Sequence, residues 1–142
     1  MHFLLALIII PFYAYFSELL NKKIEYVGII IYVVFIISHI LTSIVNPGTP
    51  TKEYFLENYD ITKSNLKNYE ICKKCKIIMD LDRGTGHCTD CDICINGYDH
   101  HCPWTSKCIG ENNKIVFKIF IFSLFLHVIY MVFALFSLLI KF

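Results

Sequence analysis

The chain has 142 residues, of which 56% are hydrophobic and 18% are charged, and its net charge is +1. This apolar excess is larger than the interior of a soluble domain of this size can bury, so the composition favours a membrane protein. A net charge so close to zero gives no support for nucleic-acid binding, which needs a basic surface. We therefore expect an integral protein of the lipid bilayer with no nucleic-acid partner.

The first apolar block, residues 3–20, is a marginal membrane span. Pro11, Ser17 and Glu18 interrupt it, and a span needs roughly 20 apolar residues. A signal peptide is the alternative interpretation, but no positive charge precedes the block and no small-residue cleavage site follows it. We expect this block to be the first transmembrane helix.

The second and third apolar blocks are clearer spans. Residues 26–45 are almost entirely apolar and stop at the helix-breaking sequence of residues 46–48, Asn-Pro-Gly. Residues 119–140 would form a helix about 33 Å long, which is enough to cross the hydrocarbon core. The sequence therefore predicts about three transmembrane helices.

A polar block, residues 46–114, separates the second span from the third. It contains nine of the thirteen Lys and Arg residues of the chain. Loops rich in Lys and Arg tend to stay on the cytoplasmic side of a membrane, so we expect this block to face the cytosol. The cytosol is a reducing compartment, which favours metal binding over disulfides as the role of its cysteines.

All seven cysteines lie between Cys72 and Cys108, and three histidines, His87, His100 and His101, lie in the same window. A Cys-x-x-Cys turn presents two thiolates at a spacing that suits a tetrahedral zinc ion with four nitrogen or sulfur ligands. The number of ligands suits two zinc ions. One alternative is a purely structural module in which every cysteine binds metal, and a redox Cys-x-x-Cys is disfavoured because no βαβ pattern surrounds any pair.

His87 and Cys88 are neighbours in the chain, and in an extended segment neighbouring side chains point to opposite faces. We therefore expect them to bind different metal ions. The spacing alone does not decide which other residues complete each site, or which thiol is spare.

The run Asp99-His100-His101-Cys102-Pro103-Trp104, followed by Cys108-Ile109-Gly110-Glu111-Asn112-Asn113 and Phe117, resembles the signature of the DHHC family of protein S-acyltransferases. The pattern from Cys72 to Cys94 is similar to the cysteine-rich domain of that family. With the three spans, the resemblance implies an all-α membrane protein with a small, irregular, zinc-stapled domain between the second and third spans. The expected domains are two transmembrane helices in 1–45, a cytosolic cysteine-rich zinc domain in 46–114 and a third transmembrane helix in 115–142.

The resemblance also implies two structural Zn²⁺ ions and the ligands of each. The first ion would be bound by Cys72, Cys75, His87 and Cys94. The second would be bound by Cys88, Cys91, His101 and Cys108. Six of the seven cysteines are then used, and Cys102 is left free.

By the same resemblance, Cys102 is the nucleophile, His100 its base and Asp99 the acid that orients His100. Each zinc site would have a formal charge of −1, which opposes ionisation of a nearby thiol, so a local base is needed. Cys102 would take a fatty acyl group from acyl-CoA, with palmitoyl-CoA as the expected donor, and pass it to a cysteine of a protein substrate. The expected substrates are membrane-associated proteins with cytosolic cysteines, and the expected location is the Golgi or endoplasmic reticulum membrane.

The sequence departs from the family pattern in ways that favour a second interpretation. Family members usually have four spans and a cytosolic tail with a TTxE motif, whereas this sequence stops after the third span. The chain is then expected to be either a truncated enzyme or a short protein without transfer activity. The alternative function is a non-catalytic, zinc-containing membrane scaffold or a regulator of a full-length relative. The intact Asp99-His100-His101-Cys102 sequence favours the enzyme.

Overall fold

The computed structural model describes residues 22–50 and 68–141. These ranges contain two helices and six short strands. The first helix, α1, covers Lys22–Ile44, and the second, α2, covers Lys114–Lys141. The predicted span in residues 3–20 lies outside the described residues.

Both helices are long and apolar enough to cross a membrane, judged by length and composition. The 23 residues of α1 give a helix of about 35 Å, and the 28 residues of α2 give one of about 42 Å. A hydrocarbon core is about 30 Å thick. The second and third apolar blocks are thus confirmed as helices of spanning length.

The end of α1 is fixed by the side chain of Asn46. Its Oδ1 accepts hydrogen bonds from the backbone N–H groups of Gly48, at 2.8 Å, and Thr49, at 3.1 Å. Gly48 has a φ of +106°, a conformation that glycine adopts without strain. This turn redirects the chain out of the helix and into the polar block.

The described chain forms two compact units. One of them contains residues 22–37 and 119–141, where α1 packs against α2. Tyr130 and Ala134 are buried in this contact. Gly28 lies so close to the Tyr130 ring that a Cβ atom at position 28 would overlap it. A small residue in α1 therefore lets the two helices approach closely at this point.

The other unit, Ser38–Lys118, contains three antiparallel β-hairpins. Strands of three residues pair in the order β1 with β2, β3 with β4, and β5 with β6. The strands are β1 (Tyr69–Ile71), β2 (Ile78–Asp80), β3 (Gly86–Cys88), β4 (Ile93–Ile95), β5 (His100–Cys102) and β6 (Lys107–Ile109). The predicted irregular domain is therefore a set of short hairpins.

The interior of this unit consists mainly of cysteine side chains. Among its described residues, the buried hydrophobic side chains are Cys72, Cys88, Cys94, Ile95, Cys102, Cys108 and Ile109. Only two of these seven are aliphatic, and a domain this small rarely folds on so little apolar burial. Thiols thus make up most of the buried apolar side chains among the described residues of this unit.

A buried asparagine joins the hairpins to the helix ends. The Asn113 side chain is fully buried, and its Oδ1 accepts a hydrogen bond from the Gly110 N–H at 2.9 Å. Its Nδ2 donates to the carbonyl oxygens of Cys108, at 2.9 Å, and Thr42, at 3.5 Å. One side chain thus links the last turn of α1, strand β6 and the start of α2.

Candidate metal centres and nucleophile

The first cluster of metal-ligand side chains forms where the β1–β2 turn meets the β3–β4 hairpin. His87 and Cys94 are directly paired across β3 and β4, so their side chains share one face. Cys72 follows β1 directly, and Cys75 lies in the turn to β2. The Nδ1 atom of His87 lies 3.5 Å from Cys72 Sγ, 3.3 Å from Cys75 Sγ and 3.7 Å from Cys94 Sγ.

The second cluster is built in the same way on the next hairpin. His101 and Cys108 are paired across β5 and β6. The Nδ1 atom of His101 lies 3.3 Å from Cys91 Sγ, 3.5 Å from Cys108 Sγ and 4.0 Å from Cys88 Sγ. The Sγ atoms of Cys91 and Cys108 are 3.3 Å apart, and no disulfide forms among the seven cysteines, all of which the structure describes.

Both clusters have the dimensions of tetrahedral metal sites. Within each, the four ligand atoms lie within 4.8 Å of one another. Zinc bound at about 2.3 Å to sulfur and about 2.0–2.1 Å to nitrogen would hold a sulfur and a nitrogen about 3.5 Å apart. The sulfur–nitrogen distances above scatter closely around that value, so each cluster fits one such ion.

The β3–β4 hairpin contributes to both clusters. His87 and Cys94 face the first, while Cys88, the neighbour of His87, faces the second. The structure thus places His87 and Cys88 in different clusters, as expected from the alternation of side chains along a strand.

The protonation chemistry of the thiols indicates a need for a cation. Burial raises the pKa of the Cys94 and Cys108 thiols, and hydrogen bonds with neighbouring cysteines raise them further. Burial also acts to raise the pKa of Cys88, but hydrogen bonds, chiefly from the Cys91 backbone, lower it to about 7. Three thiolates at this spacing repel one another, so the clusters can ionise fully only around a positive ion.

Cys102 lies outside both clusters, although His101 beside it lies inside one. Residues 100 and 102 share one face of β5, and residue 101 occupies the other. The Cys102 side chain is buried, and its carbonyl accepts a hydrogen bond from Thr105 Oγ1 at 3.4 Å. The strand therefore places a member of the second cluster and a free thiol at neighbouring positions, on opposite faces.

His100 begins this strand, and Asp99 directly precedes it. Asp99 Oδ1 faces His100 Nδ1 at 3.9 Å, which is longer than a hydrogen bond. The His100 ring packs edge-on against Phe117 in the first turn of α2, with centroids 5.2 Å apart. With Asp99 beside Nδ1, the Nε2 atom is the nitrogen left to exchange a proton.

Two contacts at the sites were not predicted from the sequence. Lys114, the first residue of α2, places its Nζ 3.5 Å from Asp99 Oδ2. Asp92 places its carboxylate 3.3 Å from Nε2 of His87. The number of residues between the partners predicts neither contact, because the partners come together only when the hairpins fold.

Taken together, residues 22–50 and 68–141 contain two helices of membrane-spanning length and a paired Cys₃His module that could bind two metal ions. The family model for the DHHC palmitoyltransferase matches residues 65–142, which is more than half of the chain. The chain belongs to the DHHC palmitoyltransferase family, and the resemblance seen in the sequence is confirmed.

Curated relatives agree with this assignment. The chain is 39% identical over 75 residues to palmitoyltransferase ZDHHC9 of Homo sapiens, covering 53% of this chain and 20% of that protein. It is 36% identical over 84 residues to palmitoyltransferase ZDHHC7 of Mus musculus, covering 58% and 27%. It is 38% identical over 88 residues to palmitoyltransferase ZDHHC3 of Homo sapiens, covering 60% and 28%. The match thus spans between a fifth and about 28% of the length of these relatives.

Proposed function

We propose that this protein is a protein S-acyltransferase that uses Cys102 as its nucleophile, His100 as the base and Asp99 to orient His100. The observation that carries the proposal is the distribution of the seven cysteines. Six lie in the two clusters, and Cys102 alone remains outside them, two positions from His100 on the same strand face. A buried free thiol beside a histidine is the arrangement that covalent catalysis requires.

The first half of the reaction loads the enzyme. His100 Nε2 accepts the proton of the Cys102 thiol, and the thiolate attacks the carbonyl carbon of acyl-CoA. The carbon–sulfur bond to CoA breaks, the CoA thiolate takes the proton from His100, and Cys102 holds the acyl group as a thioester. Asp99 stabilises the imidazolium that forms in between.

The second half transfers the acyl group. The thiol of a substrate cysteine gives its proton to His100 and attacks the Cys102 thioester, and Cys102 leaves as a thiolate that recovers the proton. One thioester replaces another in each half, so no nucleotide hydrolysis is needed. We propose palmitoyl-CoA as the donor and membrane-associated proteins with cytosolic cysteines as acceptors.

Two structural zinc ions complete the proposal. Cys72, Cys75, His87 and Cys94 would hold one. Cys88, Cys91, His101 and Cys108 would hold the other. Bound zinc would supply folding energy to the hairpin unit, which has few aliphatic side chains in its interior.

The proposed setting is a multi-pass membrane protein of the Golgi or endoplasmic reticulum, with residues 46–114 as a cytosolic zinc domain between the spans of residues 1–45 and 115–142. The supporting observations are the two helices of spanning length and the concentration of Lys and Arg in residues 46–114. The positive residues favour retention of that segment in the cytosol.

Three single substitutions in the full chain test the proposed roles. Cys102→Ser should abolish thioester labelling by a radiolabelled acyl-CoA while leaving the zinc content at the wild-type level, because it removes no metal ligand. His100→Ala should keep zinc and slow labelling by roughly 10²–10⁴-fold, the usual effect of losing a general base. Cys108→Ser is the matched control and should lose zinc and destabilise the hairpin unit.

The outcomes separate the enzyme from its alternatives. If Cys102 is itself a metal ligand, Cys102→Ser will lose zinc as Cys108→Ser does. If the protein is a non-catalytic scaffold, the wild type will bind zinc but acquire no hydroxylamine-sensitive acyl label. Either result would overturn the acyltransferase proposal.

A further inference from the structure

His87 has one ring nitrogen that the first cluster does not use. Its Nδ1 atom faces all three sulfur atoms of the cluster, at 3.3–3.7 Å. A metal ion there would bind Nδ1, and the ring would then carry its proton on Nε2. Nε2 is buried and, within the described residues, forms no aligned hydrogen bond. A buried N–H group without an acceptor lowers the stability of the folded state, so a nearby acceptor for the Nε2 proton would be stabilising.

The group that faces Nε2 is the carboxylate of Asp92, whose Oδ1 lies 3.3 Å away. The same oxygen lies 3.4 Å from Lys74 Nζ, so the carboxylate sits between a cation and the imidazole. A small rotation of the Asp92 side chain would align a charge-assisted hydrogen bond from Nε2.

The backbone of Asp92 is held in place on both sides. The residue lies between Cys91, a ligand of the second cluster, and Cys94, a ligand of the first. Its φ of +54° is a left-handed conformation that Asp and Asn tolerate better than most residues. Its carbonyl oxygen lies 3.8 Å from Cys75 Sγ, so the main chain of Asp92 also borders the first cluster.

We infer that Asp92 is a positioning residue for the first metal site, and that it acts by holding the His87 imidazole in the orientation and tautomer that bind metal. A carboxylate that accepts from the far nitrogen of a metal-bound histidine fixes the ring and makes it a stronger ligand. The inference rests on the zinc occupancy that belongs to the proposed function.

The second cluster lacks this arrangement. Among the residues that the structure describes, no carboxylate lies within ion-pair distance of His101. The two sites therefore have the same four ligand types but different support for their histidines. We expect the loss of the Asp92 carboxylate to weaken zinc binding at the first site and to leave zinc binding at the second site unchanged.

The test compares Asp92→Gly with Asp90→Gly in the full chain. Glycine removes the carboxylate without strain at a positive φ, and Asp90 is an exposed aspartate two residues away whose loss changes the net charge equally. Zinc transfer to a chromogenic chelator is followed over time, and cysteines freed of metal are trapped by alkylation. Peptide mass spectrometry then distinguishes Cys72, Cys75 and Cys94 from Cys88, Cys91 and Cys108.

Asp92→Gly should weaken zinc binding at the first site about 10–100-fold, the usual effect of losing such a partner, so that zinc leaves this site faster than in the wild type while the second site keeps its rate. Asp90→Gly should match the wild type at both sites. Asp92→Asn keeps the shape of the side chain and one acceptor oxygen. It should also speed zinc release from the first site, but by a smaller factor.

Wild-type rates at both sites in Asp92→Gly would overturn the inference. If Asp92→Gly releases both ions together because the unit unfolds, Asp92→Asn decides, and an absence of first-site acceleration in that variant would equally overturn it. A wild type that contains no zinc would instead overturn the proposed metal sites, so the two failures are distinguishable.

Discussion

At the scale of single residues, side-chain alternation could be predicted from the sequence, and contacts between distant residues could not. The expectation that His87 and Cys88 face different clusters needed only the period of an extended strand, and the structure places them accordingly. The ion pair between Arg83 and Glu111 is a contact between distant residues, which the sequence did not predict. Arg83 Nε lies 2.6 Å from Glu111 Oε2, and its Nη2 lies 2.9 Å from Oε1, across 28 residues of sequence. No spacing rule predicts a pair that only folding brings together.

This pair leads to a prediction about stability and pH. The hydrogen bonds from Arg83 lower the pKa of Glu111 below its usual 4.5, so the stability gained from ionised Glu111 is present above that value and is lost as the pH falls through the lowered pKa. Both side chains are partly exposed, so Glu111→Gln should destabilise the zinc-bound protein by no more than about 1 kcal/mol. Thermal unfolding should show the same small difference from wild type at every pH between about 8 and 6.

The matched control is Glu70→Gln, because Glu70 is exposed on β1 and forms no ion pair among the described residues. It should unfold as the wild type does. A difference for Glu111→Gln that grows as the pH is lowered would contradict the assigned direction of the pKa shift.

At the scale of elements, apolar runs predicted the helices well and the hairpins not at all. The structure extends both helices toward the N-terminus, to Lys22 in α1 and Lys114 in α2. The added turns contain lysines that are good helix formers but too polar to belong to an apolar block. The strands have three residues each, too few for an alternating pattern to be detected. Boundaries and short strands therefore depend on tertiary contacts that a local pattern does not contain.

The junction at Asn113 gives the prediction for this scale. Asn113→Ala leaves the buried N–H of Gly110 and the carbonyl of Cys108 without their partner, which should cost about 2–3 kcal/mol. The unfolding midpoint of the hairpin unit should fall, and zinc should be released more readily because Cys108 belongs to the second cluster, the proposed second zinc site. Asn112→Ala is the control, since the exposed Asn112 side chain should contribute little. Equal behaviour of the two variants would show that the buried amide does not hold the junction.

At the scale of the whole molecule, the two compact units differ in the side chains that they bury. The helices are predominantly apolar and long enough to cross a membrane, where lipid would surround their apolar side chains. The hairpin unit has only Ile95 and Ile109 as fully buried aliphatic residues among those described, and its other buried apolar groups are thiols. The sequence could predict this division from composition and from the spacing of Cys and His, although it could not show how the hairpins interleave.

Metal removal should therefore affect the two units differently. The purified protein should contain about two zinc ions per chain, and a strong chelator should unfold the hairpin unit, because structural zinc supplies folding energy directly. Helical circular dichroism in detergent should change little, while all seven cysteines become reactive to alkylation. A chelated protein whose cysteines stayed protected, or one that held disulfides in place of zinc, would contradict the proposed metal sites.

The pairing of β5 with β6 also determines which changes of sequence this protein can accept. Cys108 lies across from His101 only because the turn of residues 103–106 has its present length. One residue added to or removed from that turn would leave every cysteine in the chain, yet it would bring Lys107 or Ile109 opposite His101 and shift Cys108 out of the cluster. We expect the turn to accept many substitutions but no single insertion or deletion, so that its length is as constrained as the identity of the clustered cysteines and histidines themselves.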